Sequence, residues 1–308
     1  MNKEEIYDVI VVGGGAAGLT AGIYSSRAHL STLILNEGAI GGQMVLTDEI
    51  ANYPGVEKTN GYLLASTMKK QAKEFGCKIK SNLKIKSYNL EGEIKRVVLE
   101  DGREFHARSV ILSPGGKPRP LQIPGEEQFK GSGISYCATC DGEFFTGKEI
   151  IVVGGGNSAL EEAVALTTYV EKVTIVHQFD HFQAFQHAID QAEKNPKIEF
   201  IMESELRTFS GNGVLQEVSM EHLPSGETSS RNIDGVFIFA GYIPNTADLN
   251  GIIKLNERKE ILVDQDMKTN VPGVFAAGDC IQKKYRQVTT AVADGTIASL
   301  SAAEYLRS

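Results

Sequence analysis

Cys137-Ala138-Thr139-Cys140-Asp141 places two thiols three residues apart with a carboxylate beside them. That spacing suits either a redox dithiol or half of a metal site. A structural zinc site needs two further ligands, whereas Cys77 and Cys280 stand alone and no histidine pair has ligand spacing. A dithiol–disulfide couple is therefore the favoured chemistry. Asp141 is a candidate general acid or base able to shuttle the dithiol's proton. A turn or helix-capping carboxylate is its plainer alternative.

Three glycine-rich turns point to nucleotide chemistry. Gly13-x-Gly15-x-x-Gly18 follows the apolar run Tyr7–Val12 and precedes a helical pattern from Leu19 to Ala28. In such a turn the first glycine makes the bend and the second lets the backbone approach a pyrophosphate. The third lets the helix pack on the sheet, with the helix N-terminus facing the anion. Glu37, nineteen positions after Gly18, can accept from a ribose 2′-OH, and Asn36 is a rival for that contact. A purely structural turn is the alternative. Gly278-Asp279 follows the run Val274–Ala277 and precedes a helix from Val288, across the basic loop Gln282–Gln287. Its carboxylate suits ribityl hydroxyls, and the positive helix end suits the flavin edge where reduction builds negative charge. The two turns together imply FAD.

The third turn, Gly154-Gly155-Gly156-Asn157-Ser158-Ala159, has the same form, but the strand after it, Lys172–His177, ends on Gln178 and Phe179, with Gln183 beyond. A 2′-phosphate needs Arg or Lys there, and a bare 2′-OH usually receives Asp or Glu. Asp180 lies two residues past the usual ribose-reading position.

These turns need parallel sheets to position them. Tyr7–Val12, Ser31–Leu35 and the helix between them form one βαβ unit, and a second begins at Glu149. Residues 61–76 read as an amphipathic helix with Gly76 as its cap, and 78–112 as hairpins turning at Glu91-Gly92 and Asp101-Gly102. A short hairpin is expected over Glu260–Val263. Pro-rich punctuation near 114–119 and again near 240–246 marks two crossings between domains. The expected fold class is α/β: two Rossmann-like three-layer domains, the second inserted into the first. The FAD domain covers 1–116 and 244–308, and 117–243 forms the inserted domain.

The 308 residues, 42% hydrophobic and 23% charged, are ordinary for a globular protein of about two domains. A net charge of −8 argues against nucleic acid. No apolar run reaches about 18 residues, so no membrane span is expected. The polar start Met1–Asp8 does not read as a signal peptide, and four cysteines with only two closely spaced do not form a secreted framework. A cytoplasmic protein is expected. His29, His106, His181 and His187 show no ligand spacing.

The set Gly13–Gly18, Gly41-Gly42-Gln43, Asn52-Tyr53-Pro54-Gly55, Cys137–Asp141, Gly154–Glu162 and Gly278-Asp279 resembles the low-molecular-weight thioredoxin reductases over nearly the whole chain. The resemblance implies an FAD disulfide reductase acting on thioredoxin, and a homodimer. It implies Cys140 beside the flavin, Cys137 as the interchange thiol, and Asp141 as the third catalytic residue. The implied cofactor contacts are Gly13, Gly15, Ala16, Ala17, Gly18, Asn36, Glu37, Gly41, Gly42, Gln43, Asn52, Gly278, Asp279, Arg286, Gln287 and Val288. The family's His-Arg-Arg and later Arg, which hold NADPH, are here His177 followed by Gln178, Phe179 and Gln183. In that respect the chain is similar to the ferredoxin-dependent flavin thioredoxin reductases, and reduced ferredoxin is the expected donor. Lys283, Lys284 and Arg286 read as a solvated basic loop; docking of an acidic ferredoxin is the alternative, which the net charge of −8 does not favour. The rivals are an NAD(P)H-dependent enzyme with an atypical pocket, a flavin dithiol oxidase and a flavin-binding redox sensor.

Overall fold

The computed structural model describes residues 5–47 and 50–308. Met1–Glu4, the leading part of the polar start, lies outside the described residues. The chain divides into two compact units, Met1–Lys117 with Ile243–Ser308, and Pro118–Tyr242.

The first unit is built on a seven-stranded sheet. Its parallel part runs Lys78–Lys80, Thr32–Leu35, Ile6–Val12, Glu104–Leu112 and Val274–Ala276. The strand Glu104–Leu112 changes neighbour along its length. Residues 104–107 pair antiparallel with Lys95–Leu99, whereas 110–112 pair in parallel with Val274–Ala276. Ile6–Val12 shows why this sheet is a middle layer. Ile10 and Val12 enter one apolar cluster with Leu33 and Leu35, and Val9 and Val11 enter another with Ile34 and the helix residues Leu19 and Ala21. Alternate side chains of a strand face opposite ways, so the stretch Val9–Val12, apolar throughout, must be covered on both faces. Helices Ala16–Arg27, Gly61–Glu74 and Val288–Tyr305 provide one of the covers. The hairpin expected over Glu260–Val263 is absent as a pair of strands; only isolated bridges form there, Leu255 with Ile261 and Ile261 with Ile281. Asn256 N–H to Glu260 O at 2.9 Å and Leu262 N–H to Lys254 O at 3.0 Å close the turn around one bridge, and Ile261 finds its second partner in Ile281.

The second unit carries a five-stranded sheet in the order Ile198–Ile201, Lys172–Val176, Glu149–Val153, Gly235–Ile238, Ile134–Ser135, all parallel. Ile150 and Val152 face one cluster, Ile151 and Val153 the other. A three-stranded antiparallel sheet, Ser204–Gly211, Leu215–His222 and Glu227–Asn232, lies in the second cluster's layer. The α/β class with layered parallel sheets stands. No helix of the described residues is long and apolar enough to cross a membrane.

One charged cluster pins this second sheet. Glu199 takes a hydrogen bond from Thr174 Oγ1 at 2.6 Å and ion pairs from Lys172 and Arg231. Burial opposes its ionisation, but these three partners outweigh burial and hold its carboxyl down at about 2, from 4.5. A carboxyl depressed on folding stabilises the protein above its ordinary range and loses that contribution as pH falls from about 4.5 towards 2. The cluster is partly solvated, so the effect is modest. Glu199→Gln should therefore show a smaller fall in Tm than the parent between about pH 6 and pH 3, while being less stable at the higher pH. Parallel Tm–pH curves for the two proteins would rule this out.

Candidate redox and flavin site

The first unit gathers the expected cofactor residues into one cradle. The chain leaves Val12 and turns at Gly13, whose φ of +103° and contact with Ser113 require glycine: a Cβ there would lie 2.0 Å from Ser113 O. Helix Ala16–Arg27 starts at once, so Gly18 belongs to its first turn rather than to the loop before it. Gly41 N–H donates to Gly14 O at 2.8 Å, which lays the Gly41–Gly42–Gln43 turn against Gly14–Gly15. Ala17 touches the other turn, where a Cβ on Gly278 would lie 2.9 Å from Ala17 Cβ. Asn52 Nδ2 donates to Gln287 Oε1 at 3.3 Å, bringing those two predicted residues together. Gln287 also closes a capping box with Thr290, setting Val288 as the first residue of the last helix.

The two ribose candidates separate. Asn36 Oδ1 accepts from Gly14 N–H at 2.8 Å, and its Nδ2 donates to Gly38 O and Ala39 O. Its amide thus shapes the loop from within. Glu37 is exposed, with Oε1 accepting from Ile85 N–H at 3.1 Å.

FAD fits this cradle on two observations. Asp279 Oδ1 is buried with no hydrogen-bond partner, a state that costs about 1–3 kcal/mol unless a ligand donor meets it. Burial raises the Asp279 carboxyl above its ordinary value, against the opposing charges of Lys283 and Arg286. At Gly15, by contrast with Gly13, a Cβ would meet nothing nearer than Gly42 Cα at 3.8 Å, which leaves the space a pyrophosphate needs.

The basic loop after Asp279 is not a free cationic surface. Lys283 Nζ donates to Asp294 Oδ2 at 2.6 Å, and Arg286 pairs with Glu260 while its Nε donates to Asp279 O at 3.3 Å. Only Lys284 remains exposed, lying over the Tyr285 ring. The docking alternative for Lys283, Lys284 and Arg286 is weakened, since Lys283 and Arg286 are paired within the fold.

In the second unit Cys137 and Cys140 form a disulfide. Cys137 caps the short helix Ala138–Asp141, and its Sγ accepts from Cys140 N–H at 3.1 Å. Cys140 is exposed and Cys137 half-buried. Ser135, which no motif singled out, organises the group. Its Oγ lies 2.6 Å from Asp141 Oδ2 and 3.2 Å from Cys137 O, and accepts from Cys137 N–H at 3.0 Å. One hydroxyl hydrogen cannot serve both oxygens; the short contact to the carboxylate takes it. Asp141 is thus held to the cysteine backbone through Ser135.

The nucleotide-type loop of this unit keeps its form. Gly154 has φ +133°, and helix Asn157–Leu166 starts directly after Gly156, around which a Cβ would find open space. Gln183 N–H donates to Gly155 O at 2.7 Å, and Phe185 N–H to Asn157 Oδ1 at 2.7 Å. His177 lies against the loop: a Cβ on Gly155 would meet its ring at 2.5 Å. Burial lowers the His177 pKa, its Nε2 has no partner, and its ring packs with Phe179 and Phe182. A neutral aromatic group therefore stands at the end of strand Lys172–Val176. Asp180, nearby in sequence, is exposed and pairs with His181 at 2.7 Å.

Comparison with known proteins bears on both sites. The family of pyridine nucleotide-disulphide oxidoreductases matches residues 7–295. A thioredoxin reductase of Peptoclostridium acidaminophilum is 43% identical over 98% of this chain and 98% of its own. The crystal structure of Lactococcus lactis thioredoxin reductase in its FR conformation superposes with a TM-score of 0.95 at 39% identity, covering 98% of this chain and 99% of that one. A ferredoxin-flavin thioredoxin reductase from Clostridium acetobutylicum is more distant, with a TM-score of 0.53 at 27% identity over 99% of each chain. With an FAD cradle, a Cys137–Cys140 disulfide and full-length likeness of this order, the chain belongs to the pyridine nucleotide-disulphide oxidoreductases and, within them, to the FAD-dependent thioredoxin reductases.

Proposed function

We propose that the chain reduces the disulfide of thioredoxin through Cys137 and Cys140, and that NADPH is a poor electron donor to it. Bound FAD, once reduced by the donor, would supply the two electrons needed to open the Cys137–Cys140 disulfide. Gly13, Gly15, Ala16, Ala17 and Gly18 would hold its pyrophosphate, Glu37 its ribose, and Asp279 a ribityl hydroxyl. Gly41–Gln43, Asn52 and Arg286–Val288 complete the wall.

The interchange then follows from the cysteines. The Cys137 thiolate attacks one sulfur of the partner's disulfide and forms a mixed disulfide, releasing a thiolate on the partner. Cys140 attacks Cys137 Sγ, the Cys137–Cys140 bond re-forms, and the partner leaves with two thiols. Two electrons and two protons pass to it. The Cys140 N–H on Cys137 Sγ supports Cys137 as the attacking thiolate. Asp141, oriented by Ser135, is placed to move the proton of Cys140.

The observation that carries the donor reading is an intact nucleotide loop whose far end, Gln178, Phe179 and Gln183, has no cation. Each charge-assisted contact missing from a 2′-phosphate is worth about 1.5–3 kcal/mol. A dinucleotide without that phosphate loses nothing by their absence, and Gln178 can hydrogen-bond a ribose hydroxyl. NADH is the donor this geometry supports best. Reduced ferredoxin is a second reading, favoured by the likeness to the Clostridium acetobutylicum ferredoxin-flavin enzyme and weakened by the spent charges of Lys283 and Arg286.

Rapid mixing of the oxidised holoenzyme with NADPH, NADH and reduced ferredoxin tests the proposal. NADH should bleach the flavin at least about tenfold more efficiently than NADPH. Gln178→Arg with Gln183→Arg should recover NADPH by a similar factor. Fast reduction by ferredoxin alone selects the second reading, and fast reduction of the parent by NADPH sinks both. A homodimer belongs to the same proposal, tested by the sedimentation mass.

A further inference from the structure

Behind the Gly278–Asp279 turn lie two carboxylates and a single ammonium. Lys283 and Asp294 are each only 13% exposed in their side chains. Lys283 Nζ sits 2.6 Å from Asp294 Oδ2 but 3.6 Å from Asp279 Oδ1, outside hydrogen-bond range of the latter. Thr290 Oγ1 holds the same ammonium from a third side at 3.3 Å. Asp294 Oδ2 also accepts from Gly278 N–H at 3.1 Å, tying the last helix to the turn. Asp279 Oδ1 is left buried, ion-paired with Lys283 at 3.6 Å but without a hydrogen bond. A lysine on a flexible stem this close to a buried carboxylate would ordinarily close on it. Here a second carboxylate, one helical turn past Thr290, holds it back.

We propose that Asp294 is a positioning residue for the flavin site: it withholds Lys283 from Asp279, so that Asp279 Oδ1 stays open to a hydroxyl donor of FAD. The ammonium remains near enough to oppose the burial that raises the Asp279 carboxyl and, at 3.6 Å, is too far to hydrogen-bond its oxygen. Asp294 bonds the cradle at the Gly278 N–H, and its proposed effect on Asp279 runs through Lys283. This inference concerns the flavin site alone and is independent of which donor reduces it.

The expected effect on FAD binding is opposite in sign to that of simple electrostatics. FAD carries a negatively charged pyrophosphate, so removing a nearby negative charge should tighten it. Asp294→Asn removes that charge, while the amide oxygen can still accept from Gly278 N–H. With its closest partner neutral, Lys283 should move to Asp279 Oδ1 and cap the acceptor. The FAD Kd, read by quenching of flavin fluorescence on titrating FAD into apoprotein, should rise about tenfold, the worth of one hydrogen bond to a charged group.

The second variant separates this from damage to the fold. Asp294→Asn combined with Lys283→Met removes the invading ammonium and should recover at least half of the lost affinity on a logarithmic scale. Apoprotein Tm, measured alongside, should not follow that recovery, because the double variant also loses the Thr290 contact. Unchanged or tighter FAD binding in Asp294→Asn overturns the proposal. So does a double variant that binds FAD as weakly as the single one or more weakly.

Discussion

Serine at either Cys137 or Cys140 should lower thioredoxin reduction by at least about a thousandfold while FAD stays bound. Each half of the exchange needs a sulfur nucleophile and a sulfur leaving group, and a serine hydroxyl is neither at neutral pH. The cradle residues Gly13–Gly18 and Gly278–Val288 belong to the other compact unit, so the flavin spectrum should be retained. The two variants differ in what they trap. Cys140→Ser keeps the Cys137 thiol, which can attack oxidised thioredoxin but has no neighbour to release the product. A covalent complex should then accumulate on non-reducing gels and vanish with dithiothreitol. Cys137→Ser should trap little, since Cys140 is not the thiol that accepts the helix-capping N–H. A complex formed by Cys137→Ser alone reverses the two roles. Turnover near that of the parent in either variant removes the dithiol from the mechanism altogether.

The residues that sequence reading located and those that it missed differ in how their partners are specified. A phosphate-type turn is built from contiguous residues, each with a local reason for its identity, so Gly13–Gly18, Gly154–Ala159 and Gly278-Asp279 were legible as spacing alone. The layered sheets were legible for a related reason: the runs Val9–Val12 and Ile150–Val153 are apolar on both faces, which suits a covered parallel sheet. Ser135 was not legible. Its importance comes from one hydroxyl reaching Asp141 and the backbone of Cys137, and a serine two residues before a cysteine carries no signature of that. Lys283 and Arg286 read as a basic patch because sequence shows charge without its partners; Asp294 is 11 positions from Lys283 and Glu260 is 26 from Arg286. Asn36 failed as a clear choice for the same reason, since its amide turned out to be bonded within its own loop. On the donor, the sequence offers only a missing charge. A missing charge excludes a phosphate more firmly than it selects a replacement, and the intact geometry of the loop was needed to favour a dinucleotide over a protein.

Alanine at Gly18 and alanine at Gly15 should part company, although both stand in one fingerprint. At Gly18 a Cβ would lie 1.9 Å from Gly13 O and 2.8 Å from Ser113 Oγ. Gly13 cannot retreat, because it is itself pressed on the backbone of Ser113, whose hydroxyl donates to Val12 O at 2.9 Å. The helix Ala16–Arg27 must therefore lift from the sheet, and overpacking of this kind costs about 1–3 kcal/mol or more. Gly18→Ala should lower the apoprotein Tm by at least about 2–4 °C per kcal/mol and weaken FAD as well. At Gly15 the same methyl meets no protein atom nearer than 3.8 Å, so the fold gives no reason for glycine there. If a pyrophosphate takes that space, Gly15→Ala should leave the apoprotein Tm within about 1 °C of the parent, as for a substitution of about 0.5 kcal/mol or less. It should nonetheless raise the FAD Kd at least about tenfold, through a methyl forced against a ligand held at hydrogen-bond distance from the backbone. The pair of melting curves and the pair of FAD titrations thus read the two demands on the loop separately. Parent-like FAD affinity in Gly15→Ala would show that the open space above Gly15 is not where the cofactor's phosphates lie.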